Sequence, residues 1–424
     1  MLVAKYPNRD KWAELLQRPV FDASKLEQVV KPVLEDVRDN GDEALFRYTN
    51  KFDGVELNDF SVSEKEFKLA GTLVSEELKE AIAVAEKNIK KFHEAQQSPI
   101  EKIETVSGVS CWRESRAIDA VGLYIPGGTA PLFSTVLMLA VPALVAGCKE
   151  IVLCSPPDKE GNIHPAILYT ADKLGLRKVF KVGGAQAIAA MAYGTETIPK
   201  TYKIFGPGNQ YVTAAKQIVT QVGVAIDMPA GPSEVAVWAD DKANPAFVAS
   251  DLLSQAEHGV DSQVIMVTTD EKMVERVQEA LAIQLATLPR KEIASKALDN
   301  SRYIVLQTDD EVIDLLNQYA AEHLILQIEN YKEIAPRIMN AGSVFLGAYT
   351  PESAGDYASG TNHTLPTNGY AMAYSGVSLD SFVTKVTFQE ITKEGIQNLG
   401  KHIEVMAEAE HLYAHKNAVT LRLK

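Results

Sequence analysis

The feature that most constrains this chain is an alternation, beginning near Ala120, between short apolar runs and segments of helical periodicity. The first runs read AVGLYIP, EIVLC, VFKVG, KIFG and EVAVWAD. Alternation of this kind is typical of βαβ units, in which helices cover the faces of a parallel sheet. A second series of strands is predicted at Gln263–Thr268, Arg302–Leu306, Leu324–Ile328 and Ser343–Leu346. The pattern therefore predicts an α/β fold with two parallel-sheet lobes.

Glycine-rich turns follow three of the predicted strands. They are Pro126–Thr129, Gly183–Gln186 and Gly206–Asn209. Ligands of open α/β sheets bind at the carboxyl ends of the strands, so these turns indicate a phosphate or nucleotide site. The chain has no G-x-G-x-x-G motif followed by an acidic residue about twenty positions later. The turns alone therefore do not specify the cofactor.

Charge and cysteine content restrict the class of protein. The 424 residues carry a formal net charge of −14, which argues against nucleic acid or an anionic membrane as a partner. Cys111, Cys148 and Cys154 form no C-x-x-C pair, as is typical of a reducing compartment. No signal peptide is predicted, and the longest apolar stretch, Thr135–Cys148, reads as a buried helix too short to span a bilayer. We therefore expect a cytoplasmic protein.

Two predicted helices have well-marked ends. The first begins with Asn244 as the N-cap and Pro245 at the first helical position, and Gly259 closes it. The second begins with a capping box formed by Thr308 and Glu311. Each helix leads into polar residues that are candidates for chemistry.

The first candidates form two pairs. Gln255 and His258 lie three positions apart and share a helix face. Glu322 and His323 stand where the second helix gives way to a strand, and they supply two titratable groups for acid–base catalysis. Adjacent residues of a regular strand face opposite ways, whereas residues at such a junction can converge. Each pair on its own is more typical of an ordinary polar surface.

Further candidates lie in the last quarter of the chain. The long segment Pro351–Ala371 is rich in Gly, Ser and Thr and contains Asp356 and His363, which favours a binding loop. The carboxyl-terminal tail adds Glu410 and His415, which alone read as helical surface charge. The pooled set of candidate metal ligands is Gln255, His258, Asp356 and His415.

This ligand set contains oxygen and imidazole donors and no thiolate. Such donors suit zinc or manganese, and the lack of four thiolates favours a catalytic metal over a structural one. The residues alone thus predict a metal-dependent α/β enzyme. Two other interpretations stay open: a zinc hydrolase in which Glu322 or His323 activates a metal-bound water, and a metal-binding protein without catalysis.

Longer motifs carry a more specific signal, because they resemble the histidinol dehydrogenase family over the chain from about Ala23 onward. The motifs are VGLYIPGGTAPLFSTVLMLAVPALVAGC, VGGAQAIAAMAYGTETIPK, IFGPGNQYVTAAK, AIDMPAGPSEV, ASDLLSQAEHGVDSQV, AAEHLILQ, ESAGDYASGTNHTLPT and AHKNAVTLR. The resemblance implies a zinc-dependent oxidation of L-histidinol through L-histidinal to L-histidine, the last step of histidine biosynthesis, with NAD as the oxidant. A relative that oxidises another small polar alcohol is the alternative.

The resemblance also implies residue roles. His323 is implied as the general base, and Glu322 as the group that activates water for the second oxidation. Zinc ligation is implied for Gln255, His258, Asp356 and His415, with one zinc per subunit. Substrate contacts are implied for Ser233, His363 and Glu410, together with His323 and the four zinc ligands. NAD contacts are implied for Tyr124, Gln186 and Asn209.

Finally, the resemblance implies two incomplete Rossmann-like lobes and an intertwined homodimer. We predict a helical arm at residues 1–20 and a nucleotide-binding lobe at 124–234. Residues 21–123 and 235–377 are predicted to form the lobe with the metal and catalytic residues. Residues 378–424 are predicted to form a strand and helical tail that completes the site of the partner subunit.

Overall fold

The computed structural model describes residues 1–19, 23–127, 130–229 and 231–424. Gly128 and Thr129, from the first glycine-rich turn, lie outside these residues. The strands are β1 (Leu2–Lys5), β2 (Ile103–Val106), β3 (Val109–Ala117), β4 (Ala120–Tyr124), β5 (Glu150–Ser155), β6 (Lys178–Lys181), β7 (Lys203–Phe205), β8 (Ala225–Ile226), β9 (Glu234–Ala239), β10 (Gln263–Thr268), β11 (Arg302–Val305), β12 (His323–Gln327), β13 (Ser343–Leu346) and β14 (Val383–Ile391).

Helices connect these strands and cover the sheets. They are α1 (Trp12–Leu15), α2 (Ala23–Tyr48), α3 (Glu64–Leu73), α4 (Glu76–Glu94), α5 (Phe133–Ala146), α6 (Pro165–Lys173), α7 (Gly184–Tyr193), α8 (Gln210–Val219), α9 (Pro245–Ala256), α10 (Glu271–Thr287), α11 (Lys291–Asp299), α12 (Asp309–Tyr319), α13 (Tyr331–Ile334), α14 (Glu352–Tyr357), α15 (Lys393–Ala409) and α16 (Tyr413–Leu423). Within the described ranges, none of them is both long and apolar enough to cross a bilayer.

Two parallel sheets form the body of the protein. The smaller sheet has the strand order β6-β5-β4-β7-β8, and the larger has the order β1-β11-β10-β9-β12-β13. Apart from the edge strand β1, both sheets place the third, second, first, fourth and fifth strands of their series side by side. This is the order of a Rossmann sheet without its sixth strand. The predicted α/β fold with two incomplete Rossmann-like lobes is therefore confirmed.

The carboxyl-terminal tail is also present as a strand followed by helices. Strand β14 pairs antiparallel with β3, which pairs antiparallel with β2. Helices α15 and α16 pack against each other, and α15 also contacts β14 and β2. The tail unit thus includes strands from residues 103–117, which the predicted division assigns to the lobe of residues 235–377.

Helices α2, α3 and α4, which precede β2, pack on a different lobe from the one to which the predicted division assigns them. Helix α2 packs on α7 and α8, α3 on α6, and α4 on α5, all of which belong to the smaller sheet. The physical reason is a shared core, because Val30, Leu34 and Val37 of α2 are buried together with Ala187 and Ile188 of α7. Residues 23–94 therefore form part of the smaller lobe.

The amino-terminal arm also differs from its predicted helical form. Residues Leu2–Lys5 are a strand that pairs in parallel with β11. An edge strand exposes unpaired backbone groups, and β1 satisfies those of β11. Among residues 1–19, which the structure describes, only the single turn of α1 is α-helical, and its Trp12 is buried beside α12 in the larger lobe.

The predicted starts of both helices are confirmed, whereas α9 ends at Ala256, three residues before the predicted Gly259. The Asn244 side chain accepts a hydrogen bond from the Ala246 N–H at 2.9 Å and caps α9. Thr308 and Glu311 form the capping box of α12. These local signals fix the residues at which α9 and α12 begin. The last turns of the two helices then lie near the edge of the sheet.

The two lobes face each other across a cavity, one with the carboxyl ends of its strands and the other with the amino ends. One cavity of about 600 Å³ is lined by Gly206–Asn209, which follow β7, and by Ser233 and Glu322, which precede β9 and β12. The carboxyl edge of the smaller sheet therefore faces the amino edge of the larger one. The glycine-rich turns and the predicted catalytic pair come to the same place although about 115 residues separate them in the chain.

Candidate active site

Helix α9 brings the first pair of candidates to the cavity. Gln255 is fully buried in its last turn, and His258 lies two residues beyond the helix, where it lines the cavity. Neighbouring protein atoms shield the ring from part of the solvent, and this desolvation lowers the pKa of His258. The imidazole therefore favours its neutral form, which is the form that binds a metal ion.

Glu322 and His323 converge, and the main chain of Glu234 holds both. Glu322 Oε2 accepts a hydrogen bond from the Glu234 N–H at 2.9 Å. His323 Nδ1 lies 3.2 Å from the carbonyl oxygen of Glu234 and 3.6 Å from Glu322 Oε2. The convergence is possible because α12 ends three residues earlier, and Ala320 turns the chain with a positive φ of 50°.

His323 links the catalytic pair to the other candidates. The Gln255 side-chain amide lies 2.8 Å from His323 Nδ1, and Asp356 Oδ1 lies 3.4 Å from His323 Nε2. Asp356 comes from α14, the short helix that opens the segment predicted as an irregular loop. The structure thus brings Gln255, His323 and Asp356 from three separate elements into one cluster.

A carboxylate that the sequence analysis did not single out belongs to the same cluster. Glu352 begins α14, one helical turn before Asp356, and its Oε1 accepts a hydrogen bond from Ser254 Oγ at 3.0 Å. Ligand atoms of His258, Glu352 and Asp356 all lie within 4.8 Å of one another. The spacing of four residues between two acids on a helix was the available sequence signal.

The charges of this cluster depend on one another. Burial lowers the pKa of His323, but the carboxylates of Glu322, Asp356 and Glu352 outweigh burial and hold that pKa well above its ordinary value. Burial raises the pKa of Glu352 to about 8. Burial also acts to raise the pKa of Asp356, but the His323 ring and its neighbours bring it below the usual value. The cluster is thus a buried network that favours a positive charge at its centre.

The donor atoms fit a metal ion. Gln255 Oε1, Asp356 Oδ1 and Glu352 Oε2 are buried oxygens without a hydrogen-bond partner in the described part of the chain. Buried polar atoms are nearly always satisfied, so these oxygens, among which Asp356 Oδ1 has an ionic contact with His323 Nε2 at 3.4 Å, are suited to ligate a cation. Nitrogen and oxygen donors without thiolates suit zinc.

His363 and Ser233 complete the cavity wall. His363 Nδ1 lies 2.9 Å from the Asp356 carbonyl oxygen, so this nitrogen carries the proton, and Nε2 accepts from Thr135 Oγ1 at 3.1 Å. Ser233 directly precedes Glu234 and lines the same cavity. His363 and Ser233, two of the residues predicted to contact substrate, therefore border the space beside the cluster.

A second, larger cavity lies next to the first. It encloses about 880 Å³ and is lined by Tyr124, Gln186 and Asn209, the three residues predicted to contact a nucleotide. The Tyr124 hydroxyl accepts a hydrogen bond from the Gly184 N–H at 3.0 Å, and Asn209 caps α8. Asp53, which the sequence analysis did not single out, also lines this cavity.

The two cavities are contiguous in their lining. Pro126, Asn209 and Tyr211 border both of them. The volume of the larger cavity lies in the range of small-molecule and cofactor sites. An elongated ligand that fills the larger cavity can therefore present one end to the smaller cavity, which Glu322 lines. His323 is buried behind this wall, with its Nδ1 3.6 Å from Glu322 Oε2.

Two predicted site residues do not join the cluster. Glu410 and His415 lie on the exposed carboxyl-terminal tail. Among the described residues, no hydrogen bond or ion pair connects either of them to α9, β12 or α14. The cluster within one chain thus contains three of the four predicted metal ligands.

Fold and site together define an α/β enzyme in which a nucleotide-sized cavity adjoins a buried imidazole–carboxylate cluster with metal-ligand character. The family model for histidinol dehydrogenase matches residues 16–423. The histidinol dehydrogenase of Bacteroides thetaiotaomicron is 62% identical over 423 residues, covering 100% of this chain and 99% of that protein. The Escherichia coli K12 histidinol dehydrogenase is 55% identical over 97% of this chain and 94% of its own length.

A solved structure agrees with these similarities. The crystal structure of histidinol dehydrogenase from Elizabethkingia anophelis superposes with a TM-score of 0.98 at 60% identity, covering 100% of this chain and 98% of that one. The chain therefore belongs to the histidinol dehydrogenase family, and it is an oxidoreductase.

Proposed function

We propose that this enzyme oxidises L-histidinol through L-histidinal to L-histidine, the last step of histidine biosynthesis, with two molecules of NAD as oxidant. The observation that carries the proposal is the convergence of two bases, Glu322 and His323, on the main chain of Glu234 at the wall of the smaller cavity. A four-electron oxidation at a single site needs a base for each half. The reaction is placed in the cytoplasm, where Cys111, Cys148 and Cys154 stay reduced.

The cofactor occupies the larger cavity in this proposal. Tyr124, Gln186 and Asn209 line it at the carboxyl edge of the smaller sheet, where Rossmann-like folds bind dinucleotides. Gln186 is buried and its amide Nε2 has no partner in the described residues, so it is available to a polar group of the cofactor. The nicotinamide end then lies in the smaller cavity, which Glu322 lines.

Zinc is the metal that the proposal assigns to the cluster. Gln255, His258 and Asp356 would hold it, and Glu352 is close enough to orient or supplement them. Bound zinc would orient the substrate by binding the substrate's amino and imidazole nitrogens. Its positive charge would also offset the carboxylate charge that favours protonated His323. The remaining steps are performed by side chains of this chain.

In the first half-reaction, neutral His323 accepts the hydroxyl proton of the alcohol while the carbon-bound hydrogen leaves as hydride to NAD. The products are an aldehyde, NADH and a proton. In the second half-reaction, Glu322 removes a proton from the water that adds to the aldehyde. The resulting hydrate anion gives a second hydride to a second NAD and becomes the carboxylic acid, which releases its proton to solvent as the carboxylate. His363 and Ser233 border the substrate throughout.

The proposal includes a homodimer in which Glu410 and His415 complete the site of the partner subunit. The cluster within one chain lacks these two residues, and a terminal element is easily exchanged between protomers. The tail also exposes Val405, Met406 and Tyr413, which is typical of a surface that another chain covers.

The direct test is the stoichiometry of the reaction. The purified enzyme with excess NAD should form about two NADH per molecule of L-histidinol consumed, because both oxidations occur at one site. Absorbance of NADH and chromatography of the product measure this ratio, and histidinal should not accumulate. Hydrolytic turnover without NAD, or no reaction with histidinol, would show that the proposed function is wrong.

The two bases should be separable by substitution. Glu322→Gln should slow the oxidation of supplied histidinal by about 100-fold or more, and it should slow alcohol oxidation much less. The reason is that only the second half-reaction requires water activation. Single-turnover NADH formation from histidinol and from histidinal measures the two halves.

Glu311→Gln is a matched control, because it changes a half-buried carboxylate at the start of α12, the helix that precedes Glu322, to the same amide, which can still accept the capping hydrogen bond. This control should leave both half-reactions within about twofold of the parent. Equal losses in the two halves for Glu322→Gln would contradict the assignment of Glu322 as the water-activating base.

A further inference from the structure

Glu234 occupies an unusual position, because its side chain and its main chain serve different partners. Its carboxylate is buried and accepts from Arg18 Nε at 2.6 Å, from Arg18 Nη2 at 2.9 Å and from the Asn368 N–H at 2.7 Å. Its own N–H and carbonyl oxygen contact Glu322 and His323. Anchoring this one side chain therefore fixes the two backbone atoms against which both bases are set.

Arg18 holds a second segment at the same time. Its Nη2 donates to the carbonyl oxygen of Tyr319 at 2.5 Å, and its guanidinium lies 4.1 Å from the centre of the Tyr319 ring. Tyr319 ends α12, three residues before Glu322. The planar guanidinium thus joins the start of β9 to the end of α12, the two segments between which Glu322 and His323 lie.

The buried charges of Arg18 and Glu234 neutralise each other. The side chains of Arg18 and Glu234 are only 14% and 3% exposed, so each needs the other as a counterion. Without Arg18, the Glu234 carboxylate would stand uncompensated near the Glu322 carboxylate. Asn368 extends the network, because it belongs to the segment that carries His363.

A buried ion pair is weak support for stability alone, since apolar residues of similar volume are often as good. The bidentate Arg18–Glu234 pair also binds the Tyr319 carbonyl oxygen, so it fixes the relative positions of the two segments that hold the bases. We propose that Arg18 and Glu234 are positioning residues that set the orientation of Glu322 and His323 for catalysis. This inference rests on the proposed function, and it gives the amino-terminal arm a part in the reaction.

The test compares the parent with Arg18→Met, Arg18→Lys and Glu234→Gln. We expect kcat to fall by up to about 100-fold in Arg18→Met, while KM for histidinol and Kd for NAD change by about threefold or less. Arg18→Lys should recover part of the loss, because it restores charge without the fork geometry. Glu234→Gln, which is nearly isosteric, should lower kcat in the same direction.

Arg9→Met is the matched control. Arg9 lies on the same arm and pairs with Asp314 of the same α12 at 2.6 Å, but both side chains are at least half exposed. This variant should keep kcat within about twofold of the parent. Thermal unfolding of every variant identifies any that do not fold, and Glu234→Gln then decides the question because it removes charge and leaves volume unchanged.

The possible outcomes distinguish a failure of the positioning role from a failure of the proposed function. Folded Arg18→Met and Glu234→Gln proteins with kcat near that of the parent would overturn the positioning role. A kcat loss that Arg9→Met reproduces, or a loss matched by an equal rise in KM and in Kd for NAD, would also overturn it. Failure of the proposed function would be seen in the parent enzyme itself, which would not oxidise histidinol.

Discussion

Removal of zinc should abolish the oxidation of histidinol, with a loss of at least about 100-fold, and added zinc should restore it. The expectation rests on buried oxygens of Gln255, Asp356 and Glu352 that have no hydrogen-bond partner among the described residues and that lie near His258. A cluster built to surround a cation loses both its substrate contact and its charge balance when the cation leaves. Dialysis against a chelator, metal analysis and NADH formation measure the effect.

A ligand substitution should separate the metal from the cofactor. His258→Asn should weaken zinc binding by about 100-fold while the Kd for NAD stays within about twofold, since His258 lines only the smaller cavity. His402→Asn, at an exposed position of α15, is the matched histidine control and should change neither quantity. Full activity in a preparation shown to be free of metal would contradict zinc dependence.

The pH dependence of zinc binding gives an independent check. Burial raises the pKa of Glu352 to about 8, so this carboxyl group holds a proton at neutral pH when no metal is bound. A cation favours the ionised form, and binding therefore releases the proton. Zinc affinity should rise as the pH increases from 6 to 8, because the cation also disfavours the proton that the carboxylates hold on His323. An affinity independent of pH over this interval would contradict the assignment of Glu352 to the metal cluster.

Two inactive variants should restore activity to each other if the tail acts in the partner subunit. His323→Asn damages the body of the site, and His415→Asn damages the tail. In a hybrid dimer with exchanged tails, one site collects both lesions and the other is intact. Random pairing of two equal pools makes about half the dimers hybrid, so about a quarter of all sites should be wild type.

Purification through two different tags sharpens this experiment, because the isolated hybrid should have about half of the wild-type activity. The matched control pairs His323→Asn with His258→Asn, both in the body of the site. That hybrid has one lesion in each site under either arrangement and should stay inactive. A folded, zinc-loaded hybrid of His323→Asn and His415→Asn that is inactive would exclude the shared site.

Local physics made much of the fold predictable. The βαβ alternation gave the two parallel sheets, and the caps at Asn244 and Thr308 gave the starts of α9 and α12. These signals act over a few residues, because caps satisfy neighbouring backbone groups and periodicity records which face of an element is buried. The buried helix predicted at Thr135–Cys148 is present as α5 for the same reason.

The position of the early helices was not predictable in this way. Helices α2, α3 and α4 are amphipathic, and an apolar face does not specify which sheet it will cover. The structure places them on the smaller lobe, and it places Leu2–Lys5 at the edge of the larger sheet. The arm and the helices that follow it therefore belong to different lobes, which no local pattern indicates.

For the candidate site, too, some features were predictable from the sequence and others were not. The sequence by itself, with its family motifs, determined which side chains to consider, including Glu322, His323 and Asp356. Only the tertiary structure brought them to one cluster, added Glu352, and tied both bases to Arg18 through Glu234. The physical reason is that capping and periodicity act between near neighbours, whereas 88 residues separate Glu234 from Glu322, and only the packing of the strands closes that distance.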